Sequence, residues 1–375
     1  MRVLHLLSEW KWTGPSEPVV SLCEALREVG IDARIAFMRA PSIFPEKTVE
    51  KEVSLRGIPR CTSLSLNRYF SPKEWIRDMR HLRRYVSKEG IDVVHAHLTH
   101  DHILSVLSFL PSRERPILVR TDHKREGMRY GPFIAYVLSK TDGLILHSER
   151  LRRREVETFL FPEERTIAVP PGLERLSVPV RDVRRELGIS DKEYVIAVAG
   201  RLKKDRFYHL VIEALHILRR RGQRVRLLVL GRSSQVQESI WRPARRFGVE
   251  EHIVFAGYRR EDFASYLSSC NVFLMMRAGS DGSARALRQA MRLGKPAIVS
   301  NLGMLPEIVE DGVSGYVVEL EAHEIAQRVE DLIKDEEKRR RFGEEARKRS
   351  LQWDYIQEAE RVAEFYKRLK AIGRR

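Results

Sequence analysis

Cysteine is scarce in this chain. The three present in 375 residues, Cys23, Cys61 and Cys270, stand far apart, which excludes a disulfide framework and a clustered thiolate metal site. No apolar run approaches the roughly 20 residues of a membrane span, so a helical membrane protein is excluded. The sequence enters a strand at Arg2–Ser8 without an apolar leader, and a cytoplasmic location is expected. The dinucleotide pattern G-x-G-x-x-G and the metalloprotease pattern H-E-x-x-H are both missing. Acidic residues are also short, 52 against 68 Lys and Arg, leaving a net charge of +16. Such an excess calls for an anionic partner: nucleic acid, an anionic membrane surface or a phosphorylated substrate. Without a zinc finger, a helix-turn-helix glycine or an RNP-like aromatic strand, nucleic acid is not expected. Basic clusters at Arg152–Arg154 and Lys338–Arg341 have Glu nearby and read as solvated helix faces.

What is present is a repeated strand–loop–helix rhythm, in a chain long enough for two domains. Arg2–Ser8 reads as a strand, the turn Thr13-Gly14-Pro15-Ser16 follows, and a helix from about Val19 to Val29 leads to the strand Ile31–Phe37. Ser71–Ser87 opens with a Ser cap and Pro in the first turn, and reads as a helix. Trp75, Ile76, Met79, Leu82 and Val86 form its apolar stripe, with Arg77, Arg80, Arg83 and Arg84 elsewhere. Packing explains that pattern, and so does contact with an anionic membrane surface, which stays open as a partner. Ile91–His102 holds four of the twelve histidines, His95 and His97 at a strand end and His100 and His102 in the following loop. The spacing lacks an acidic second ligand, and a metal is not expected. Pro116–His123 is another strand, and a His at a parallel strand's carboxyl end points to where such sheets bind ligands.

In the second half, the strand Tyr194–Ala199 runs into Gly200-Arg201-Leu202-Lys203-Lys204-Asp205-Arg206 and then the helix Tyr208–Arg220. A glycine after a strand, basic side chains and a helix N-terminus suit a pyrophosphate. Strands follow at Arg226–Leu230, His252–Tyr258 and Val272–Met276. The stretch from Ser280 to Gly315 then gives a polar Asp281-Gly282 loop, a helix to Arg292, a strand at Pro296–Ser300, a second helix and a glycine turn. The alternation is that of parallel α/β sheets.

Three groups of residues carry a resemblance: Gly200-Arg201-Leu202 with Arg206; Asp281-Gly282 with Gln289-Ala290-Met291 and Gly294-Lys295-Pro296; and Gly303 with Glu307-Ile308-Val309. Together they resemble the motifs of family 4 retaining glycosyltransferases of the GT-B fold. The resemblance implies two Rossmann-like domains facing a cleft. An acceptor-binding domain would span 1–172 and a nucleotide-sugar domain 173–352, with a helix at 353–375 crossing back to the first. It implies transfer of a sugar from a UDP- or GDP-linked donor to a saccharide or lipid-linked saccharide of the cell envelope, without a metal or bound cofactor. His123 and Asp281 match the catalytic positions. Arg201, Arg206 and Gly14 match the donor diphosphate contacts, Gly282, Ser283 and Gln289 the sugar and ribose contacts, and Gly257 and Tyr258 the nucleobase pocket. Two positions depart from the family pattern: Gln289 stands where a Glu grips the ribose, and Phe207 where a glycine lies. A catalytically weakened relative that binds or scaffolds, or a GT-B epimerase or phosphorylase, is the alternative.

Overall fold

The computed structural model describes residues 1–12, 14–41, 48–69, 71–110, 112, 114–174, 179–279 and 284–375. Two compact units divide the chain, Met1–Glu174 with Trp353–Arg375, and Arg175–Gly279 with Ala284–Gln352.

The first unit runs β1 (Arg2–Leu7), α1 (Ser16–Glu28), β2 (Asp32–Phe37), α2 (Val49–Leu55), α3 (Pro72–Glu89), β3 (Val93–Ala96), α4 (Thr99–Phe109), β4 (Ile117–Asp122), α5 (Pro132–Ser139), β5 (Gly143–Leu146), α6 (Glu149–Phe159) and β6 (Thr166–Ala168). Its strands are all parallel in the order β2-β1-β3-β4-β5-β6. Short apolar runs make these strands, and both faces are covered as a parallel sheet requires. Val3, Val93, Val119 and Ile145 pack against Leu22 and Leu26 of α1 and against Phe365, Tyr366 and Leu369 of the C-terminal helix. The opposite face, with Leu4, Leu6, Val94 and Leu118, meets Leu82 and Val86 of α3 and Leu104 of α4. In α3, Trp75 and Met79 join that core, but Ile76 is exposed and does not continue the stripe.

The second unit runs β7 (Tyr194–Arg201), α7 (Tyr208–Arg220), β8 (Val225–Arg232), α8 (Arg242–Phe247), β9 (Ile253–Gly257), α9 (Phe263–Ser268), β10 (Val272–Met275), α10 (Arg285–Arg292), β11 (Ala297–Ser300), α11 (Leu305–Ile308), β12 (Gly315–Val318), α12 (Ala322–Lys334) and α13 (Glu336–Ser350). Its sheet is parallel in the order β12-β11-β10-β7-β8-β9. The last helix, α14 (Tyr355–Ile372), belongs to the first unit and begins where Asp354 Oδ1 accepts the Ile356 N–H at 2.9 Å. The order in which successive strands are added reverses between β7 and β10 in this unit, and between β1 and β3 in the first, while all strands stay parallel. At such switch points the loops diverge and leave room for a ligand at the strands' carboxyl ends.

Helix α4 begins at Thr99, so His100 and His102 lie on a helix and not in a loop. Asp101 explains the early start: its carboxylate accepts the N–H groups of Leu98 and Ser8, both at 2.9 Å. That fastens the helix N-terminus to the end of β1.

Helix α6 carries an acid inside the protein. Glu155 is fully buried, and its Oε1 accepts the Met128 N–H at 3.0 Å. At Gly127, φ is +74° and a Cβ would lie 2.1 Å from that oxygen, so only glycine fits the loop over it. Burial, followed by the charge of Asp122, raises the Glu155 carboxyl to about 7. The folded chain thus keeps a proton that the unfolded chain has shed by neutral pH. The stability from this group is complete below about pH 4 and is lost as pH rises through about 7, a change on the order of 3 kcal/mol. Glu155→Gln keeps the acceptor for Met128 but cannot ionise. Denaturant unfolding from about pH 5 to 8 is expected to show wild-type stability falling relative to that of this variant. Equal slopes in the two proteins would sink the idea.

Candidate active site

The carboxyl edge of the first sheet carries a row of histidines on one face. His5 of β1 lies opposite His95 of β3, and His97, His123 and His147 follow the ends of β3, β4 and β5. All five are buried. His5 Nδ1 lies 2.9 Å from His97 Nε2, and His97 Nδ1 lies 3.1 Å from His123 Nε2. His95 is held separately, 2.6 Å from the Tyr366 hydroxyl and 2.7 Å from Thr121 Oγ1. The His147 ring meets His123 edge-on at 4.9 Å. Burial lowers the basicity of four of them: His5 falls to about 3, and His95, His97 and His123 lie well below the usual histidine range. Like charges add to the effect, and for His123 they come from His147 and Arg120. These four are therefore neutral at physiological pH.

Nitrogens of His5, His95 and His97 lie within 4.8 Å of one another, near enough to suggest a cation. Two ligands of a tetrahedral zinc, each at about 2.0–2.1 Å, stand about 3.3 Å apart. The 2.9 Å separation of His5 and His97 is shorter and fits a shared proton, while both His95 nitrogens already face hydroxyls.

Gly14 sits in the turn before α1, exposed and left-handed at φ +54°, and a Cβ there would meet nothing within 4 Å. Helix α1 starts at Ser16, nearer to this turn than the sequence pattern suggests, because Ser16 Oγ donates to the Lys11 carbonyl at 2.8 Å. At the far side of the sheet, Ser148 Oγ caps α6 by accepting the Leu151 N–H at 3.2 Å.

In the second unit, Gly200-Arg201 and Gly231-Arg232 end the neighbouring strands β7 and β8 in register. Both glycines take positive φ, +136° and +153°, and a Cβ on Gly231 would lie 1.9 Å from the Gly200 carbonyl oxygen. The two strands therefore close tightly where they end, and both arginines are exposed there. On β9, Gly257 turns the chain at φ +71° and leaves Tyr258 about half exposed. The Arg232 guanidinium lies over the Tyr258 ring at 4.4 Å. Arg232 is thus part of this edge, although only Arg201 and Arg206 stand out in the sequence. The repeated Gly-Arg pair at two strand ends is the signal that points to it.

Arg206 is buried. Its Nη1 donates to the Arg277 carbonyl just after β10 at 3.4 Å, and its Nε lies 3.7 Å from Asp205. This cation therefore sits at the switch point between β7 and β10. Phe207, next in the chain, is left-handed at φ +60°, a conformation costing about 1–2 kcal/mol for a residue with a Cβ. It packs against the core of the unit. The backbone at this position keeps the shape a glycine would give, with an aromatic side chain added. Gln289 is half-buried on α10 and makes no side-chain hydrogen bond to a described residue. Asp281, Gly282 and Ser283 lie outside the described residues.

Residues 180–349 match the model of the Glycosyl transferases group 1, and residues 14–175 match that of Glycosyltransferase Family 4. The chain belongs to the family 4 glycosyltransferases. Among its relatives, the chain is 27% identical over 175 residues to spore coat protein SA of Bacillus subtilis (44% of this chain, 46% of the relative). It is 26% identical over 238 residues to the capsular polysaccharide biosynthesis glycosyltransferase CapM of Staphylococcus aureus (60% and 61%). The chain thus spans about half to three-fifths of the length of these relatives. In structure it is similar to Anabaena Alr3699/HepE, solved in complex with UDP, with a TM-score of 0.77, 18% identity and coverage of 97% and 99%. Two parallel six-stranded α/β sheets together with this likeness give the GT-B fold.

Proposed function

We propose that the protein transfers a hexose from a nucleoside-diphosphate donor to a saccharide or lipid-linked saccharide of the cell envelope, with retention at the anomeric carbon. The observation that carries this reading is the carboxyl edge of the second sheet. Two glycine-arginine strand ends, a buried arginine at the switch point and an exposed tyrosine lie together there. A diphosphate needs cations and close backbone approach, and a nucleobase needs a flat aromatic or backbone surface. The likeness to a UDP complex favours uridine as the base.

As the sugar–phosphate bond breaks, negative charge grows on the departing diphosphate and positive charge on the sugar. Arg201 and Arg206 stabilise the former, a role that needs no metal, and the family resemblance assigns the latter to Asp281. His123, neutral and at a strand end, contacts a sugar hydroxyl. Ribose binding falls to Gln289, which lacks the charge that strengthens a carboxylate's hydrogen bonds. A weakened relative that binds donor without efficient transfer is the second reading, favoured by Gln289 and by the side chain at Phe207. The positive charge and the exposed arginines of α3 support an acceptor at an anionic membrane surface, although no helix among the described residues is long and apolar enough to cross one.

Thermal unfolding with UDP, GDP, ADP and their sugar conjugates tests donor binding. A ligand at 100 times its Kd stabilises by about 2.7 kcal/mol, so UDP or UDP-hexose is expected to raise the midpoint by several degrees. Gln289→Glu is expected to tighten the same ligand about 5- to 10-fold. Silence across the panel in both proteins would remove the transferase reading. Binding without sugar release or transfer would select the weakened relative. Flotation with anionic vesicles at low and high salt checks the membrane part.

A further inference from the structure

Helices α3, α4 and α5 cover one face of the first sheet side by side. Leu82 and Val86 of α3, Leu104 and Phe109 of α4 and Val137 of α5 all belong to the same core. The Trp75 ring fills the space between α3 and α4, edge-on to His100 at 4.6 Å. What the three helices turn outward differs from one to the next. On α3 it is six exposed cations, Lys73, Arg77, Arg80, Arg83, Arg84 and Lys88. On α4 it is Ile103 and Leu107, both half-buried, with the exposed Leu110 just beyond the helix. On α5 it is Phe133 and Tyr136, each about half exposed, with the Lys140 ammonium 5.8 Å from the Tyr136 ring.

The free charge on this surface has one sign. The three helices contain four acids, and protein groups hold all of them. Glu74 accepts from Asn67 Nδ2, Asp78 from the N–H groups of Ser65 and Leu66, Glu89 from Arg34, and Asp101 from Leu98 and Ser8. None of the six α3 cations forms an ion pair with a described residue, whereas Arg34, Arg56 and Arg152 are all paired. A partner must therefore bring negative charge and accept aromatic and aliphatic side chains next to it. A second copy of the chain docking by the same face would set cations against cations. Nucleic acid brings the charge, but not the apolar boundary that suits Leu107 and Leu110. The headgroup layer of an anionic bilayer offers both, phosphates for Lys and Arg and the edge of the acyl chains for Phe, Tyr and Leu.

We propose that this face of the first unit docks on an anionic bilayer, the α3 cations against lipid phosphates and Phe133, Tyr136 and Leu110 at the boundary with the acyl chains. This rests on the membrane part of the proposed function, gives it a surface, and does not need sugar transfer.

Flotation of the full chain tests it, with vesicles of phosphatidylcholine alone and with about a third phosphatidylglycerol. Wild type is expected to float with the anionic vesicles only. Arg80→Gln, Arg83→Gln and Arg84→Gln together are expected to weaken partition about 100-fold, about fivefold per cation. Phe133→Ser with Tyr136→Ser keeps every charge and is expected to weaken it about tenfold. Arg340→Gln, Arg341→Gln and Arg347→Gln on α13 remove equal charge from the second unit, and partition is expected to stay within about threefold of wild type. All eight positions are exposed, so thermal midpoints should match wild type. Equal losses in the α3 and α13 variants would reduce the effect to net charge and overturn the proposal. So would an unchanged Phe133–Tyr136 variant, tighter binding to a DNA oligonucleotide than to the vesicles, or a dimer in sedimentation that the α5 variant dissolves. A wild type that never floats would remove the membrane part of the proposed function as well. A wild type that floats beside unchanged α3 and α5 variants would remove this surface alone.

Discussion

Gly231→Ala is expected to destabilise the second unit by about 3–5 kcal/mol. Two costs combine at this position. Its φ of +153° lies where side-chain-bearing residues are strained, worth about 1–3 kcal/mol. The added Cβ would also lie 1.9 Å from the Gly200 carbonyl oxygen and 3.4 Å from Leu202. That oxygen is backbone and cannot swing away, so β7 and β8 must separate or shift where they end. Overpacking of this kind costs about 1–3 kcal/mol more. A useful control is Gly248→Ala, since Gly248 is left-handed at φ +62° with nothing within 4 Å of a Cβ. It is expected to lose only about 1–2 kcal/mol. Denaturant unfolding of wild type and both variants gives the comparison. A Gly231→Ala loss no larger than that of the control would show that the close approach does not constrain the fold. Because the clash lies at the strand end that carries Arg232, the variant is also expected to lose nucleotide-dependent stabilisation at temperatures where it is still folded.

The two glycine-arginine strand ends also show where reading the sequence reached and where it stopped. Gly200-Arg201 was legible because a glycine, basic residues and a helix start follow an apolar run within a few positions. Helix α7 occupies Tyr208–Arg220 as its pattern indicates. Gly231-Arg232 lies 31 residues further along, and only the parallel register brings Arg232 beside Arg201. Local pattern contains no such information. The histidines follow the same logic. Alternation placed His95 and His97 on one face, but their link to His5 and His123 depends on the pairing of β1 with β3 and of β3 with β4. Sequence pattern places His100 and His102 in a loop because the acid that starts α4 is Asp101, inside the helix. Glu155 lies in the charged run from Arg152, which reads as a solvated face. Arg152 fits that reading, being ion-paired to Glu149 and Glu163, while Glu155 turns inward to the Met128 N–H. Charge alone does not reveal which member of such a run is buried.

Arg206→Ala is expected to lower kcat for sugar transfer about 100- to 1,000-fold, the scale at which one preorganised charge-stabilising group is removed. The expectation follows from where the guanidinium lies. It is buried, so water screens it weakly, and a charge that appears nearby feels it more strongly than it would at the surface. It lies at the switch point, oriented by the Arg277 carbonyl. The ground-state donor already carries negative charge on its diphosphate, so binding should weaken too, but by less. The additional charge appears only as the sugar departs, and this separates kcat from Kd. Arg206→Lys should recover part of the loss, because a point charge replaces a fork that grips two oxygens at once. Arg201, at the exposed end of β7, is more heavily solvated, and its alanine variant should lose about tenfold less than that of Arg206. Steady-state rates and donor Kd for the three variants decide the matter. If Arg206→Ala kept kcat within tenfold of wild type while Arg201→Ala did not, the exposed strand end would carry the stabilising charge, and the buried arginine would serve the fold.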